Sequence, residues 1–310
     1  IMNIVRVALA VPLPRFFDYL YAPDLTPIVG GRVLVPFGSQ KRVGIVVDLP
    51  ASSDVAKEKL KPIIDVLDTE SLFNSTTWDW LAWSANYYRA ALGDVLFQAL
   101  PVKLRNGESA VKNDRTFWRI TELGKQALES GELKRAKKQI EALSLLLTQD
   151  LEKGNNEISS AIWSALKGKD YVEEIIVPTE QKSWQQALGD NPLVNLDNRL
   201  TLNKQQALAF SQLIFQEGFN VWLLEGVTGS GKTEIYLQYI EEVLKKGKQV
   251  LVLVPEIGLT PQTVRRFQAR FNVEIDVLHS NLNDTQRLNV WERARTGQSA
   301  IVIGTRSALF

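Results

Sequence analysis

Apolar and polar positions alternate with two different periods in the C-terminal part of the chain. Four short apolar runs have the length of buried strands, at residues 221–224, 249–254, 274–278 and 300–303. Between them lie three segments with helical periodicity, at residues 233–245, 260–271 and 284–295. Gly247 and Gly297 follow two of these segments, where glycine commonly ends a helix. This order predicts a parallel sheet with helices on both faces, which binds ligands at the carboxyl ends of its strands.

The amino-terminal part of the chain has the pattern of a small β domain. Residues 4–68 contain short β-rich runs, among them residues 32–36 and 42–47, and glycine and proline interrupt these runs. This pattern predicts a small barrel-like or curled sheet.

A segment rich in aromatic residues follows this sheet. In residues 76–91, Trp80, Trp83 and Tyr87 are separated by three and four positions, which is the spacing of one helix face. We therefore expect an amphipathic helix that closes onto the sheet and places these aromatic side chains in the core. The polar residues 105–113 that come next are predicted to form a linker.

The middle of the chain mixes helical and β patterns. In chain order, the predicted elements are a strand at residues 117–120, helices at 134–147 and 157–166, and a β run at 171–177. Helices followed by a β-ribbon favour a winged-helix-like domain. Its basic cluster could contact phosphates, but a charge run is more often a solvated face, which is the interpretation that we favour. The cluster consists of Lys134, Arg135, Lys137 and Lys138.

These patterns together predict an α/β multidomain chain. The expected domains are residues 1–105, 106–197 and 198–310. The 310 residues are 45% hydrophobic and 23% charged, as in an ordinary soluble globular protein. No run reaches the ~18 apolar residues that a membrane-spanning helix needs, so we expect no membrane contact.

Charge and cysteine content limit the partners and the compartment. The formal net charge is +1, so any binding of nucleic acid must depend on local patches. The chain has no cysteine, which excludes disulfides and thiolate metal sites within these residues and fits a cytoplasmic location.

A glycine-rich sequence between a predicted strand and a predicted helix satisfies the P-loop pattern G-x-x-x-x-G-K-[ST]. Its glycines let backbone N–H groups turn towards phosphate oxygens at the amino terminus of a helix. Lys232 would neutralise the β- and γ-phosphates of ATP, and the Thr233 hydroxyl would hold Mg²⁺, so these two are the catalytic candidates. The predicted ATP-binding residues of the loop are Gly226, Thr228, Gly229, Ser230, Gly231, Lys232 and Thr233.

Neighbouring residues favour a helicase over other P-loop proteins. Gln206 lies 20 positions before Gly226, where helicases often place a glutamine that pairs with adenine. An amide can bond to N6 and N7 of adenine, although an exposed glutamine at a helix start is an equally good reading. Residues 304–308 follow an apolar run and should lie near the nucleotide. Thr305 and Arg306 there are candidate contacts for the phosphates of a single DNA strand.

Residues 221–310 closely resemble the first motor lobe of the PriA (primosomal protein N′) family, which are superfamily 2 helicases that restart bacterial replication. The resemblance rests on residues 226–233, 254–262, 278–280, 282–284 and 303–310. Four amino-terminal sequences look like the DNA-binding domain of the same family, at residues 11–15, 17–20, 35–38 and 93–96. The middle of the chain matches poorly, although the family places a winged helix there.

The resemblance implies an ATP-dependent 3′-to-5′ DNA helicase that acts at arrested forks. Its amino-terminal domain would capture the 3′ end of a nascent strand, and by matched position Phe17, Asp18, Gly38 and Lys61 would form the pocket for that end. Two of these residues have an alternative interpretation. Phe17 is equally consistent with a buried core residue, and Lys61 with an exposed surface residue. The implied partners are forked and single-stranded DNA, single-strand binding protein and other primosome proteins.

The chain also departs from the family pattern. It reaches Phe310 before an acidic Walker B motif appears, and it lacks the family's cysteine-rich zinc region. We therefore expect a partial helicase that binds DNA, and nucleotide at most weakly, without hydrolysing ATP, with zinc only in a missing C-terminal part. Two alternatives stay open: another P-loop NTPase, such as a kinase or transporter ATPase, and a non-catalytic DNA-binding module. His279, the one histidine, is assigned no catalytic role.

Overall fold

The computed structural model describes residues 2–110, 114–131, 133, 136–148, 150–153, 158–178, 181–214 and 218–309. The chain forms two compact units, one of Ile1–Ala110 with Lys182–Phe310 and one of Val111–Gln181. Residues 182–197, which we predicted in the middle domain, thus belong with the first unit. None of the described helices has both the length and the apolar character that a membrane crossing requires.

The amino-terminal domain is built on a five-stranded antiparallel sheet with the order β2-β1-β4-β3-β5. Its strands are β1 Asn3–Leu9, β2 Phe17–Tyr21, β3 Arg32–Phe37, β4 Gln40–Asp48 and β5 Asp65–Val66. The register of β1 against β4 shifts between Arg6 and Val7, and such a bulge bends a sheet. The predicted curled sheet is therefore present.

Three helices cover one face of this sheet: α1 Ser75–Tyr88, α2 Leu92–Gln98 and α3 Val102–Arg105. Our expectation that the aromatic residues of α1 lie in the core is wrong for Trp83 and Tyr87, which are 55% and 65% exposed. Leu81 and Ala85 are buried instead. Both sides of this helix carry apolar residues, so the spacing alone could not show which side faces the sheet.

Arg89 ends α1 in a conformation that suits glycine. Its φ is 54°, in the left-handed region, and its exposed side chain has no hydrogen-bond or ion-pair partner among the described residues. Left-handed backbone costs a non-glycine residue about 1–2 kcal/mol. We expect Arg89→Gly to raise the free energy of unfolding by about 0.5–1 kcal/mol, after the greater unfolded-state entropy of glycine is subtracted.

Urea unfolding measures this change, and Arg89→Ala is the control. Alanine keeps the strained backbone and so should give no gain. An equal gain from both substitutions would show that the side chain, and not the backbone, is unfavourable.

Arg32 joins the sheet to the segment that follows α3. Its side chain is fully buried and forms a bidentate ion pair with Asp68, in which Nε and Nη2 each lie 2.8 Å from a carboxylate oxygen. Nη1 donates to the carbonyl oxygens of Leu104 and Glu108 at 2.6 and 2.8 Å. The start of the predicted linker at residues 105–113 is thus attached to the domain.

Within its described residues, the second unit contains three helices and a three-stranded antiparallel sheet of order β7-β6-β8. In chain order the elements are β6 Asp114–Ile120, α4 Glu122–Glu129, α5 Lys137–Leu146, β7 Leu151–Glu152, α6 Ser160–Lys167 and β8 Val172–Pro178. Its core contains Trp118 and Trp163, stacked with ring centroids 5.3 Å apart. The β-ribbon we expected after the helices is instead a strand, β8, that pairs with β6 from the beginning of the unit. Lys134, Arg135 and Glu157 lie outside the described residues.

The C-terminal part forms the predicted parallel sheet, in the order β10-β11-β9. Its elements are α7 Trp184–Leu188, α8 Lys204–Ile214, α9 Lys232–Lys245, β9 Val250–Leu253, α10 Pro261–Arg270, β10 Ile275–Leu278, α11 Asp284–Arg295 and β11 Ile301–Gly304. Gly247 and Gly297 have φ of 73° and 75°, as predicted for glycines that end α9 and α11. We call this region, residues 182–310, the P-loop lobe.

The predicted strand at residues 221–224 is not present. These residues have no strand pairing, and Val221 and Leu223 are 82% and 89% exposed. A strand forms only where a neighbouring strand supplies hydrogen bonds to its backbone. No described strand lies alongside this segment, so its apolar sequence alone does not produce one.

Helix α11 packs against the amino-terminal domain. Leu288 is 3% exposed and belongs to the same core cluster as the residues under α1, α2 and α3. Trp291 donates its indole N–H to the carbonyl oxygen of Ala99 at 3.2 Å. Arg295 forms an ion pair with Glu70 at 3.1 Å. The first unit therefore has an apolar core to which both of its parts contribute.

Candidate nucleotide and nucleic-acid sites

The P-loop adopts a curled conformation that depends on glycine. Gly229 and Gly231 have φ of 84° and 83°, in the region that non-glycine residues rarely occupy. Helix α9 begins directly after Gly231, so Lys232 and Thr233 form its first turn. The loop therefore brings a lysine and a hydroxyl to the positive end of a helix, which attracts phosphate.

Lys232 folds back over its own loop. Its Nζ donates to the carbonyl oxygen of Val227 at 3.0 Å and also to that of Gly226. The Thr233 hydroxyl has no hydrogen-bond partner among the described residues. The Lys232 ammonium group therefore lies against the loop carbonyls, and the Thr233 hydroxyl lies beside it in the first turn of α9. These residues fit a nucleotide with Mg²⁺ in both charge and chemistry.

Gln206 contacts the P-loop as well as its own helix. Its Oε1 accepts from the backbone N–H of Asn203 at 2.9 Å, which caps the start of α8. Its Nε2 donates to the carbonyl oxygen of Ser230 at 3.1 Å. The structure thus brings Gln206 to the loop and engages its amide with protein atoms on both sides.

A cavity of about 790 Å³ opens beside the P-loop. The loop residues Thr228, Gly229, Ser230, Gly231, Lys232 and Thr233 line it, together with Leu200 and Arg266. Leu200 is 66% exposed, which leaves an apolar surface next to the loop. Sequence reasoning missed Leu200 and Arg266, because a leucine before α8 and an arginine within α10 carry no recognisable motif.

A buried ion pair forms part of the wall of this cavity. Arg270, which is 1% exposed, donates to the Glu234 carboxylate at 3.1 Å and to the Asn198 carbonyl oxygen at 2.8 Å. Glu234 directly follows Thr233 in the first turn of α9. This pair connects α9 to α10 and fixes the helix start that carries the P-loop.

A second cavity, of about 1080 Å³, lies at the carboxyl ends of β9, β10 and β11. Thr305 and Arg306 line it, with His279 at the end of β10. The Arg306 guanidinium is 91% exposed and lies 3.5 Å from Glu256, an exposed pair that contributes little to stability. His279 accepts from the Asn281 backbone N–H at 3.2 Å, a local structural contact. Arg306 is therefore available to a ligand.

The four residues predicted to bind a DNA end lie together. Phe17, Asp18, Gly38 and Lys61 all line one cavity of about 560 Å³ in the amino-terminal domain. The Phe17 ring packs edge-on against Phe37 at 5.3 Å between centroids, so it is half-buried in the core and also lines the cavity. We call this space the aromatic cavity.

Asp18 is held in place by neighbours that the sequence did not reveal. Arg6 donates to both of its carboxylate oxygens at 2.8 and 3.0 Å, and the Ser53 hydroxyl donates at 2.6 Å. These hydrogen bonds, that from Arg6 above all, hold the pKa of Asp18 below its usual range. Arg15 lies with its guanidinium 5.0 Å above the Phe17 ring. Asp18 is thus a charged acceptor that already has protein donors.

Comparison with known proteins relates the amino-terminal domain and the P-loop lobe to described protein families. A family model described as 3′DNA-binding domain (3′BD) matches residues 6–101, and one described as DEAD/DEAH box helicase matches residues 203–310. The chain is 75% identical over 309 residues to the replication restart protein PriA of Haemophilus influenzae, covering 100% of the chain. The chain belongs to the PriA family. It is also 34% identical over 316 residues to PriA of Buchnera aphidicola and 28% identical over 377 residues to PriA of Bacillus subtilis.

The chain spans only part of these PriA relatives. It covers 42% of the Haemophilus and Buchnera proteins and 45% of the Bacillus protein. The 3′DNA-binding match contains the aromatic cavity, and the helicase match contains the P-loop and the three parallel strands. The family resemblance read from the sequence is therefore confirmed along the whole chain.

Proposed function

We propose that this chain supplies the DNA-end-binding and ATP-binding parts of a 3′-to-5′ DNA helicase that recognises arrested or branched forks and restarts replication. The observation that carries the proposal is the combination, within one compact unit, of the aromatic cavity and a glycine-dependent P-loop. A kinase or transporter ATPase would need a P-loop, but its activity would not require a cavity that binds a DNA end.

The aromatic cavity would hold the 3′ end of a nascent strand. Phe17 can stack on the terminal base, an interaction worth about 1–3 kcal/mol. Lys61 can meet a phosphate, and Asp18 can use its remaining lone pairs to accept from the 3′ hydroxyl. Gly38 lines the cavity with φ of 60°, and a Cβ atom added there would meet nothing within 4 Å, so open space surrounds this part of the backbone.

The P-loop would bind ATP with Mg²⁺. Lys232 would leave the two loop carbonyls to reach the phosphates, and Thr233 would hold the metal through its free hydroxyl. The loop residues from Gly226 would donate backbone N–H groups, and the base would lie towards Gln206. When bound, Mg²⁺ would neutralise phosphate charge. We propose that these 310 residues bind nucleotide without turning it over, which steady DNA-stimulated phosphate release would contradict.

Several finer assignments form part of the same proposal. Thr305 and Arg306 would contact the phosphates of single-stranded DNA. The unit Val111–Gln181, with its three helices and small sheet, would act as a winged-helix-like DNA-binding domain. Single-strand binding protein and other primosome proteins would be partners, and the protein would work in the cytoplasm. Zinc, if the full-length protein uses it, is assigned to none of these residues.

A comparison of blocked and free DNA ends tests the end-binding role. We expect forked DNA with a 3′ hydroxyl to bind more tightly than the same fork with a 3′ phosphate, measured by fluorescence anisotropy. Phe17→Leu should weaken binding of the free end by about 5-fold or more, because the base loses its stacking surface.

Tyr88→Leu is the matched control, since Tyr88 is an exposed aromatic residue that does not line the aromatic cavity. Equal affinity for free and blocked ends would rule out end recognition. An absence of any DNA binding would favour the kinase or transporter class.

A further inference from the structure

We propose that Lys41, Arg42 and Arg105 form a phosphate-binding track for the DNA strand whose 3′ end lies in the aromatic cavity. They line a separate cavity of about 690 Å³, formed by the β3–β4 hairpin and the α2–α3 region. The inference rests on the proposed function, because that function places the strand end.

None of the three cations has an acidic partner within the described ranges. Lys41 and Arg42 are exposed and form no ion pair within the described ranges. The Arg42 guanidinium lies 5.5 Å from the centroid of the Phe37 ring. By contrast, the nearby Lys103 pairs with Glu108 at 3.3 Å. The charges on the hairpin are therefore free to bind an anion.

Arg105 is partly buried and oriented by backbone oxygens. Its Nε donates to the Leu100 carbonyl at 2.7 Å and its Nη2 to the Gln98 carbonyl at 3.3 Å. Burial lowers the pKa of Arg105, and no carboxylate offsets that effect. A cation that has lost water without gaining a counter-charge is unfavourable, so a phosphate at this position would be especially stabilising.

The other groups in this cavity suit a phosphodiester. Asp94 is the carboxylate that lines it, so the three cations keep an excess of positive charge. The side-chain amides of Gln40, Gln98 and Asn106 also line it and can donate to phosphate oxygens.

The β3–β4 hairpin connects this cavity to the aromatic cavity. Phe37 pairs with Gln40 and Pro36 pairs with Lys41 across the hairpin. Pro36 and Phe37 line the aromatic cavity, whereas Gln40 and Lys41 line the cationic one. Paired Cα atoms lie about 4.5–5.5 Å apart, and each nucleotide of a duplex strand advances about 3.4 Å along the helix axis. A strand that leaves the aromatic cavity would thus reach Lys41 within a few phosphates.

The test compares oligonucleotides of two lengths on the 310-residue chain. We expect Lys41→Gln to weaken binding of a 3′-hydroxyl decanucleotide by about 3- to 10-fold and to reduce the salt slope by about 0.7 for each phosphate that is no longer neutralised. A 3′-hydroxyl dinucleotide, measured by competition, should bind wild type and Lys41→Gln equally, because it does not extend beyond the aromatic cavity. The ratio of affinities for 3′-hydroxyl and 3′-phosphate decanucleotides should also stay unchanged.

Two further variants serve as controls. Lys248→Gln removes an exposed lysine that lines none of these cavities and should leave decanucleotide binding unchanged. Asp94→Asn removes the opposing charge and should tighten binding. If Lys41→Gln binds the decanucleotide as tightly as Lys248→Gln at low salt, the track does not exist. If wild type fails to distinguish the two ends while Lys41→Gln still weakens binding, the phosphate site stands and end recognition fails.

Discussion

A Lys232→Ala substitution is expected to weaken binding of ADP with Mg²⁺ by about 30-fold or more. The lysine supplies charge-assisted hydrogen bonds to phosphate, each worth about 1.5–3 kcal/mol, and alanine supplies none. The loop glycines and the start of α9 stay in place, so the loss reports the ammonium group itself. Isothermal titration calorimetry on the 310-residue chain gives the ratio directly.

Lys248→Ala is the control for this measurement, because it removes an equal charge from an exposed site away from the P-loop. Since Lys232 also bonds to the loop carbonyls of Gly226 and Val227, circular dichroism should confirm that the lobe of the variant stays folded. Undiminished affinity in a folded Lys232→Ala protein would mean that the loop is not the phosphate site.

Arg32→Leu is expected to lower the free energy of unfolding of the amino-terminal domain by about 3–5 kcal/mol, the usual cost of removing one member of a buried ion pair. The substitution removes the counter-charge of the buried Asp68 carboxylate and the hydrogen bonds that Arg32 donates to the carbonyls of Leu104 and Glu108. Hydrogen exchange of the β3 and β4 amides measures the loss locally, which is preferable in a chain with more than one unit.

A double variant separates charge from packing. Arg32→Leu combined with Asp68→Leu removes both charges and should recover part of the stability, because an apolar pair avoids the uncompensated carboxylate. If the single and double variants were equally unstable, the two backbone carbonyls rather than Asp68 would account for the effect.

The sequence predicted the structure correctly where residue type alone determines the local backbone conformation. Gly229 and Gly231 in the P-loop have positive φ, and so do Gly247 and Gly297 after their helices, so these positions could be predicted from residue type alone. The parallel strands after Lys248 were also predictable, since buried strands and amphipathic helices alternate there with different periods.

Features that depend on distant partners were not predictable. Residues 221–224 have the composition of a strand but no described neighbour to pair with. The outer face of α1 carries Trp83 and Tyr87, so hydrophobicity alone assigned the wrong side to the core. The family resemblance identified Asp18, but its partners Arg6 and Ser53 emerge only when the strands are brought together.

The packing of Leu288 and Trp291 on α11 has a thermodynamic consequence. Because these side chains belong to the apolar core under the amino-terminal sheet, the amino-terminal domain and the P-loop lobe should unfold as one cooperative unit. The aromatic cavity and the P-loop should therefore lose their shapes at the same temperature, although they lie in different parts of the chain.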